Sequence, residues 1–495
     1  MKIAVWVSGL IAKPLLQFVE EINARGVDVT VICSTSIEKQ HVRRKAAGSI
    51  NEVVSVYDVY EEFWKERASM DIEQVLAEAE RNEAKYDVSL MEMLKADRHM
   101  ARGFVKGAWF PRSLFSEKLN YCEYLDIINR MLTFFEAFFA RHHVQGLLME
   151  VASFHAKAAC VVAKSKGIKV RIPHPSRVED SYFFSHNEFI EYPRLDENYH
   201  RNIEKIHADP EKNQPKSAES YQLAVTEISG YLEYRSLVVT IKSILRQILV
   251  HIYQKAKGLK KYSPYYLRDR VRAVWLYHWG IKQADKQQYL QVEQYTQQKY
   301  IFYPLQLEPE SATLVMSPEF DHQLYLVHLL ASNLPAGWEL VIKEHPLALG
   351  TRPVGFMESL IAYPNVQFAS PFDSAKKWFL NSQAVAIITG TVGFEAAFDG
   401  IPVISFGKHN FITMLDYVFE VDSHDSVKKA MGQLSKQLIP DEKERKLQGY
   451  ALEEALKQQS FPLDAGSFYA KKGEVKAEEM EIFVDQLIAS LDQAL

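Results

Sequence analysis

The chain reads as an α/β protein with two Rossmann-like, doubly wound domains facing a cleft, helical insertions and a helical C-terminal tail. Three observations predict this. Its 495 residues exceed what a single hydrophobic core usually supports. Short β-branched runs alternate with helix-spaced apolar residues near the N-terminus and again after Lys299. Between about 202 and 297 that alternation gives way to helical periodicity alone.

Element by element, residues 2–7 are apolar, and 14–23 place Leu15, Leu16, Phe18, Val19 and Ile22 at helical spacing. Residues 27–33 are strand-like again, so the chain opens as a parallel sheet does. The Met1-Lys2 start imitates a secretory signal. The apolar run is short, however, Ser8-Gly9 makes a turn and Lys13 interrupts it, so a buried first strand is expected. Residues 60–100 are charged and helical in pattern, within an insertion of about 60–120 outside the sheet. A helix over 125–141, a strand over 144–149, a helix over 156–166 and a strand over 169–172 complete this half. Phe134, Phe135, Phe138 and Phe139 fall one turn apart, which suits core packing better than a cofactor box.

In the second half, strands over 300–304, 339–343, 366–368, 384–389 and 402–406 alternate with helices over 321–332, 354–362 and 375–382 and one starting at 394. The tail from 423 is helical. The expected domains are 1–200, a helical basic segment 201–297, a nucleotide-binding domain 298–422 and the tail 423–495.

Hydrophobic residues at 47% and charged residues at 24% are those of a globular chain, not a disordered or fibrous one. A net charge of −5 offers no bulk attraction for nucleic acid, so no nucleic-acid partner is expected and any basic site is local. One such stretch exists. Lys242, Arg246, Lys255, Lys257, Lys260, Lys261, Arg268, Arg270 and Arg272 face only Asp269, with tyrosines and tryptophans interleaved. Two readings fit: a solvated face of an inter-domain helical segment, or a peripheral contact through 242–279 with the inner membrane leaflet or a lipid-linked acceptor. No apolar run approaches the roughly 20 residues that span a bilayer, so a cytoplasmic chain, at most peripheral at the inner membrane, is expected. Cys33, Cys122 and Cys160 show neither metal-ligand nor disulfide spacing, which fits a reducing compartment and three small buried hydrophobes.

Three strand ends carry the chemistry. In Gly390-Thr391-Val392-Gly393-Phe394-Glu395 a strand turns directly into a helix, whose first N–H groups and dipole form a phosphate site. Thr389 and Thr391 add hydroxyls, and Glu395 can accept from ribose. This is not the dinucleotide fingerprint, so a nicotinamide cofactor is not expected. In Lys343-Glu344-His345-Pro346 the lysine and histidine fall on one side of an extended chain, a spacing suited to one phosphate or to proton transfer. The loop Gln306-Leu307-Glu308-Pro309-Glu310 can reach into the cleft. From the first half, Glu150 ends a strand as a candidate general base or nucleophile, and His174 and Arg177 follow the next. Arg177 suits a carboxylate or phosphate because its fork is bidentate. No Asp-x-Asp element is present, so metal-independent chemistry is expected.

These stretches, with Tyr303-Pro304-Leu305-Gln306, Asp321-His322-Gln323, Leu334-Pro335 and Pro364-Asn365-Val366, resemble the bacterial capsule polysaccharide biosynthesis proteins over about 299–411. The resemblance is weaker over about 145–177. It implies a GT-B-like glycosyltransferase; the better-understood branch transfers Kdo from CMP-Kdo. It further implies that Gly390, Thr391, Gly393 and Glu395 hold the nucleotide, that Lys343 and His345 hold its phosphate or assist its departure, and that Gln306 and Glu308 line the donor pocket. Glu308 then joins Glu150 and His345 as a catalytic candidate, while Arg177 and His174 meet the sugar carboxylate or acceptor. A nucleotide sugar and a glycan or lipid-linked acceptor are the implied partners, with no cofactor. The alternatives are a nucleotide-sugar epimerase of the same fold, a polyol-phosphate transferase, and a non-catalytic glycan- or lipid-binding assembly protein. The Lys-x-His-Pro element is shared with CDP-glycerol polymerases, but Gly390-Thr391-Val392-Gly393 departs from their pattern.

Overall fold

The computed structural model describes residues 1–7, 12–45, 50–100, 109–112, 119–191, 194–209, 232–256, 265–407, 411–464 and 475–492. Ser8-Gly9 and Lys257, Lys260 and Lys261 of the basic segment lie outside the described residues, as does the side chain of Lys13.

The N-terminal half runs β1 Lys2–Val7, α1 Ala12–Ala24, β2 Asp28–Cys33, α2 Ser36–Lys45, β3 Val53–Ser55, α3 Val56–Glu66, α4 Ile72–Tyr86, α5 Leu90–Lys95, α6 Tyr121–His142, β4 Gly146–Leu148, α7 Phe154–Ser165, β5 Lys169–Pro175 and β6 Ser181–Ser185. Strands β3, β2, β1, β4 and β5 are neighbours in that order and all parallel. Every residue of β1 and β2 after the first is buried, as a sheet covered on both faces requires. The stretch read as a helical insertion outside the sheet is helical and packs on one face of this sheet. Tyr60, Phe63, Val75, Leu90 and Met93 share one core with Trp6, Phe135, Phe138 and Phe139. The phenylalanine cluster is therefore core. Asn120 and Glu123 close a capping box that starts α6 at a defined residue.

Strand β5 runs further than expected, through Pro173, His174 and Pro175, because β6 pairs antiparallel with its end and supplies an edge. Prolines are tolerated where a ladder does not need their N–H. Helices α8 Leu195–Ala208, α9 Leu237–Ala256 and α10 Leu267–Ala284 follow.

The C-terminal half runs β7 Lys299–Pro304, α11 Ser311–Leu314, α12 Gln323–Asn333, β8 Trp338–Lys343, α13 Phe356–Ile361, β9 Val366–Ala369, α14 Ala375–Phe379, β10 Ala384–Ile387, α15 Thr391–Phe398, β11 Val403–Ser405, β12 Val418–Glu420, α16 His424–Ser435, α17 Glu442–Lys457, β13 Phe461–Pro462 and α18 Ala477–Asp492. Its parallel sheet has the order β9-β8-β7-β10-β11-β12. Counted within the domain this is 3-2-1-4-5-6, the order of a doubly wound dinucleotide-type fold. One face is covered by α8, α15 and α17, the other by α12, α13 and α16. The strand order reverses between β7 and β10, so a crevice opens beyond their carboxyl ends. The loops that begin at Leu305 and Ile388 leave the sheet there.

The tail is not one free-standing unit. Helix α17 packs on α8, and the chain then crosses back to the first half, where β13 pairs with β6. In α18, Phe483 stacks on Phe18 at 3.9 Å, and the Arg171 guanidinium donates to the Ser490 hydroxyl at 3.1 Å and to its carbonyl. Strands β6, β12 and β13 were not expected from periodicity; they span five, three and two residues, too short to show a period. All three cysteines are free. Cys33 and Cys160 are buried, but Cys122, expected to be, is only half-buried. No helix among the described residues is long and apolar enough to cross a membrane.

Candidate active site

The loop after β7 is held by Gln323 at the start of α12. Its Oε1 accepts the Gln306 N–H at 2.7 Å and its Nε2 donates to the Gln306 carbonyl at 3.0 Å. The Gln306 side chain then reaches the start of α15: a Cβ on Gly390 would lie 2.6 Å from its Nε2. The two switch-point loops thus touch. Gly390 is the N-cap of α15 and provides no side-chain cap, while the Gly393 N–H donates to the Gly390 carbonyl at 3.0 Å. Gly393 has a different reason to be glycine. A Cβ there would lie 2.2 Å from Ile387 Cδ1, so it lets α15 lie directly on β10. Thr389 is not a free donor either: its hydroxyl bonds to the Ala312 carbonyl at 3.1 Å, tying this turn to α11. Thr391 remains half-buried at the helix start.

Sequence reasoning missed the residue that joins the other two strand ends. Arg352 donates from Nε and Nη2 to both Glu344 oxygens at 2.8 Å, from Nη2 to the Gln306 carbonyl at 2.8 Å, and from Nη1 to Glu308. It also lies 4.8 Å from the Phe356 ring centre. An arginine between Gly350 and Pro353 looks like an ordinary loop cation, and no spacing signals its partners, which are eight and 44 positions away. Glu308 consequently does not reach freely into the cleft. It is 3% exposed, and burial pushes its pKa up to about 7 although Arg352 pulls the other way. Its Oε1 makes no hydrogen bond, with the Gln323 amide beside it.

Lys343 and His345 part ways. The Lys343 ammonium is buried and donates to the Pro371 carbonyl at 2.9 Å, and desolvation pulls its pKa down to about 8, with Asp373 opposing. His345 is half-buried, its Nδ1 accepts the Leu347 N–H at 3.2 Å, and burial pulls its pKa down to about 4. A neutral ring that accepts at Nδ1 carries its proton on Nε2. His345 is therefore a hydrogen-bond donor at Nε2.

The first half contributes Arg177, which adopts φ 69° just past β5. Its guanidinium carbon lies 5.9 Å from the Phe394 ring centre, and its Nε is buried without a hydrogen-bond partner. Glu395, the next residue of α15, is half-buried. Burial pushes its pKa up to about 7, against the pull of Lys376 and Arg177 and with a push from Asp399. His174 is buried behind them. Its Nδ1 lies 2.9 Å from the Pro175 carbonyl and so carries the proton, and burial with the Arg177 charge takes its pKa down to about 3. Glu150 is exposed, yet burial raises its carboxyl pKa while Arg98 lowers it. The structure brings together Gln306, Gly390, Glu395 and Arg177 at α15, and links Gln306 and Glu308 with Glu344 and the His345 loop through Arg352. Glu150 stands apart, paired through space with Arg98. Among the described residues no group of three or more His, Cys, Asp or Glu is placed to hold a metal.

The model of the capsule polysaccharide biosynthesis proteins matches residues 187–414. This segment, less than half of the chain, is similar to that family. It contains every strand-end residue of the second sheet from Gln306 to Glu395, whereas Glu150, His174 and Arg177 lie before it. Among solved structures, a beta Kdo 2,4 transferase, KpsC of Thermosulfurimonas dismutans, aligns over 62% of this chain and 79% of its own at 11% identity, with a TM-score of 0.31. The UDP-GlcNAc 2-epimerase of Neisseria meningitidis bound to UDP-GlcNAc aligns over 99% and 100% at 10% identity, TM-score 0.27. That of Methanocaldococcus jannaschii, in complex with UDP-GlcNAc and UDP, aligns over 90% and 98% at 12% identity, TM-score 0.28. No curated protein sequence matches the chain. Similarity this low carries no chemistry.

Proposed function

We propose that this chain is a glycosyltransferase that moves a sugar from a nucleotide donor, a CMP-linked acidic sugar such as CMP-Kdo, to a surface-polysaccharide or glycolipid acceptor. The observation that carries the reading is Arg177. A buried guanidinium nitrogen without a hydrogen-bond partner, on one half of the chain, stands against the first turn of a helix at the switch point of the other. Cation and helix N-terminus together suit an anion.

In this reading the donor phosphate lies on the first N–H groups of α15, where the helix dipole stabilises the charge that develops as the nucleotide departs. His345 donates from Nε2 to the same phosphate. Lys343, held on the Pro371 carbonyl behind it, adds positive field. Glu395 accepts from ribose, Gln306 borders the base or sugar, and Arg177 takes the sugar carboxylate with both arms of its fork. Glu308 and Arg352 hold the loops in register. Glu150, open to solvent with a raised pKa, draws the proton from the acceptor hydroxyl as it attacks the anomeric carbon. Only interactions that strengthen toward the transition state raise turnover, and in this reading the helix start and His345 supply them.

Thermal shift with CMP, CDP, UDP and GDP tests the donor side, since ligand binding raises apparent stability according to affinity; cytidine nucleotides should shift the melting point most. Glu150→Gln should retain that shift and lose transfer, while His345→Ala should weaken both. Unchanged transfer in both variants would sink the assignment. Turnover of UDP-N-acetylglucosamine without any acceptor would replace it by epimerisation.

A further inference from the structure

We infer that α9, carried on α10, forms a docking surface for an anionic lipid bilayer. The observation is a helix that turns an apolar stripe to solvent. In α9, Val238, Ile241, Leu245, Leu249 and Ile252 recur at helical spacing on one stripe and are 61%, 47%, 54%, 66% and 56% exposed. The opposite face, which mixes Thr240, Ser243 and Gln247 with Ile244 and Ile248, is the one turned to the protein. Thr240 is buried and its hydroxyl meets His278 Nδ1 at 3.2 Å, while Gln247 accepts from Arg270 of α10 at 3.4 Å. Burying such a stripe normally stabilises a helix, so one left in water marks a surface that something covers.

Charge decides what covers it. Helix α9 has no acidic residue; Lys242 and Arg246 flank the stripe on one side and Lys255 on the other, all exposed. On α10, Arg268, Arg272, Trp275 and Trp279 recur along one face and are exposed, the tryptophans at 50% and 52%. The single carboxylate of the two helices, Asp269, is buried and held by Arg112 through Nε and Nη2. This cationic region stands on a chain whose net charge is −5. A symmetric second copy would bring the same cations face to face, whereas anionic headgroups neutralise them as the stripe enters the acyl boundary. Neither helix is apolar enough to cross a membrane, so the pair lies on the surface.

The surface is fixed relative to the cleft. A Cβ on Gly280 of α10 would lie 2.3 Å from the Gly350 backbone nitrogen, so this helix rests directly on the loop between His345 and Arg352. Ile281 and Ala284 share a small core with Leu349 and Phe372. A docked bilayer would therefore hold the mouth of the site in one pose, which suits an acceptor with a lipid tail. The inference needs no donor chemistry, and its readout is binding alone.

Flotation of the full chain with phosphatidylcholine vesicles, with and without phosphatidylglycerol, tests it. Binding should be at least ~10-fold stronger to the anionic vesicles and fall with salt. Leu245→Ser/Leu249→Ser and Lys242→Glu/Arg246→Glu should each reduce it ~10-fold or more, with unchanged circular dichroism and melting temperature. Equal binding to both vesicle types, or none to either, would overturn the inference. So would a wild-type dimer in light scattering that Leu249→Ser converts to a monomer, because the stripe would then belong to a second copy.

Discussion

Replacing Arg352 with methionine removes the one group that holds three loop segments together, and the structure sets the size of the loss. The Arg352, Glu308 and Glu344 side chains are 7%, 1% and 9% exposed, so solvent screens these pairs little. Breaking a buried pair by deleting one partner costs about 3–5 kcal/mol, because the remaining charge is left uncompensated. At roughly 2–4 °C per kcal/mol, the C-terminal domain should melt about 10 °C lower. The loss should depend on pH. Glu308 titrates at about 7 even with Arg352 pulling its pKa down, so without the arginine its folded value rises further above that of the unfolded chain. A carboxyl with a raised folded pKa contributes stability that is complete below its unfolded pKa and is lost as pH rises through the folded one. The variant should therefore lie closest to wild type near pH 5 and furthest from it at pH 8. Urea unfolding followed by circular dichroism at both values measures this. Adding Glu308→Gln and Glu344→Gln should recover most of the loss, since both glutamines keep acceptors and neither carries charge. A loss below about 1 kcal/mol at pH 8, or one equal at both pH values, would refute the claim that Arg352 organises these loops.

Gly393→Ala should destabilise by about 1–3 kcal/mol, the usual cost of overpacking, and Ile387→Val, which deletes the Cδ1 the new Cβ would meet, should reduce that cost; a neutral Gly393→Ala in chemical denaturation would mean α15 does not rest on β10. Glu395 titrates at about 7, so nucleotide affinity measured by calorimetry should tighten from pH 6 to pH 8 as the carboxylate ionises, and Glu395→Gln should flatten that profile. A profile unchanged in the variant would remove Glu395 from the nucleotide. His174 has a folded pKa of about 3, below its ordinary value near 6.5, so its contribution is complete above pH 6.5 and is lost as pH falls toward 3. His174→Gln should reduce the slope of stability against pH in that window, read from melting temperatures at closely spaced pH.

The legible parts of this protein were those written locally. Residues 3–7 and 300–303 are buried without interruption, and their β-branched and aromatic runs announce this in any context. The turn at Gly390 follows from a strand running into a helix with glycine at the joint, a statement about a few adjacent residues. The strand order that places this turn beside Gln306 is not local, though the alternation of strands and helices left few alternatives.

What only the tertiary structure decided depends on distance along the chain or on direction in space. Arg352 finds Glu308 and Gln306 across 44 and 46 positions, and no pattern in the sequence encodes that pairing. Arg177 meets Phe394 from the other half of the chain, and β13 returns to β6 from the tail. Glu308 reads as a solvated loop acid until the arginine that buries it is in place. The apolar stripe of α9 is identical in sequence whether it faces a core or the solvent. Periodicity records which residues share a face; packing alone determines what that face meets, and here the side that carries Thr240 and Gln247 took the protein contact.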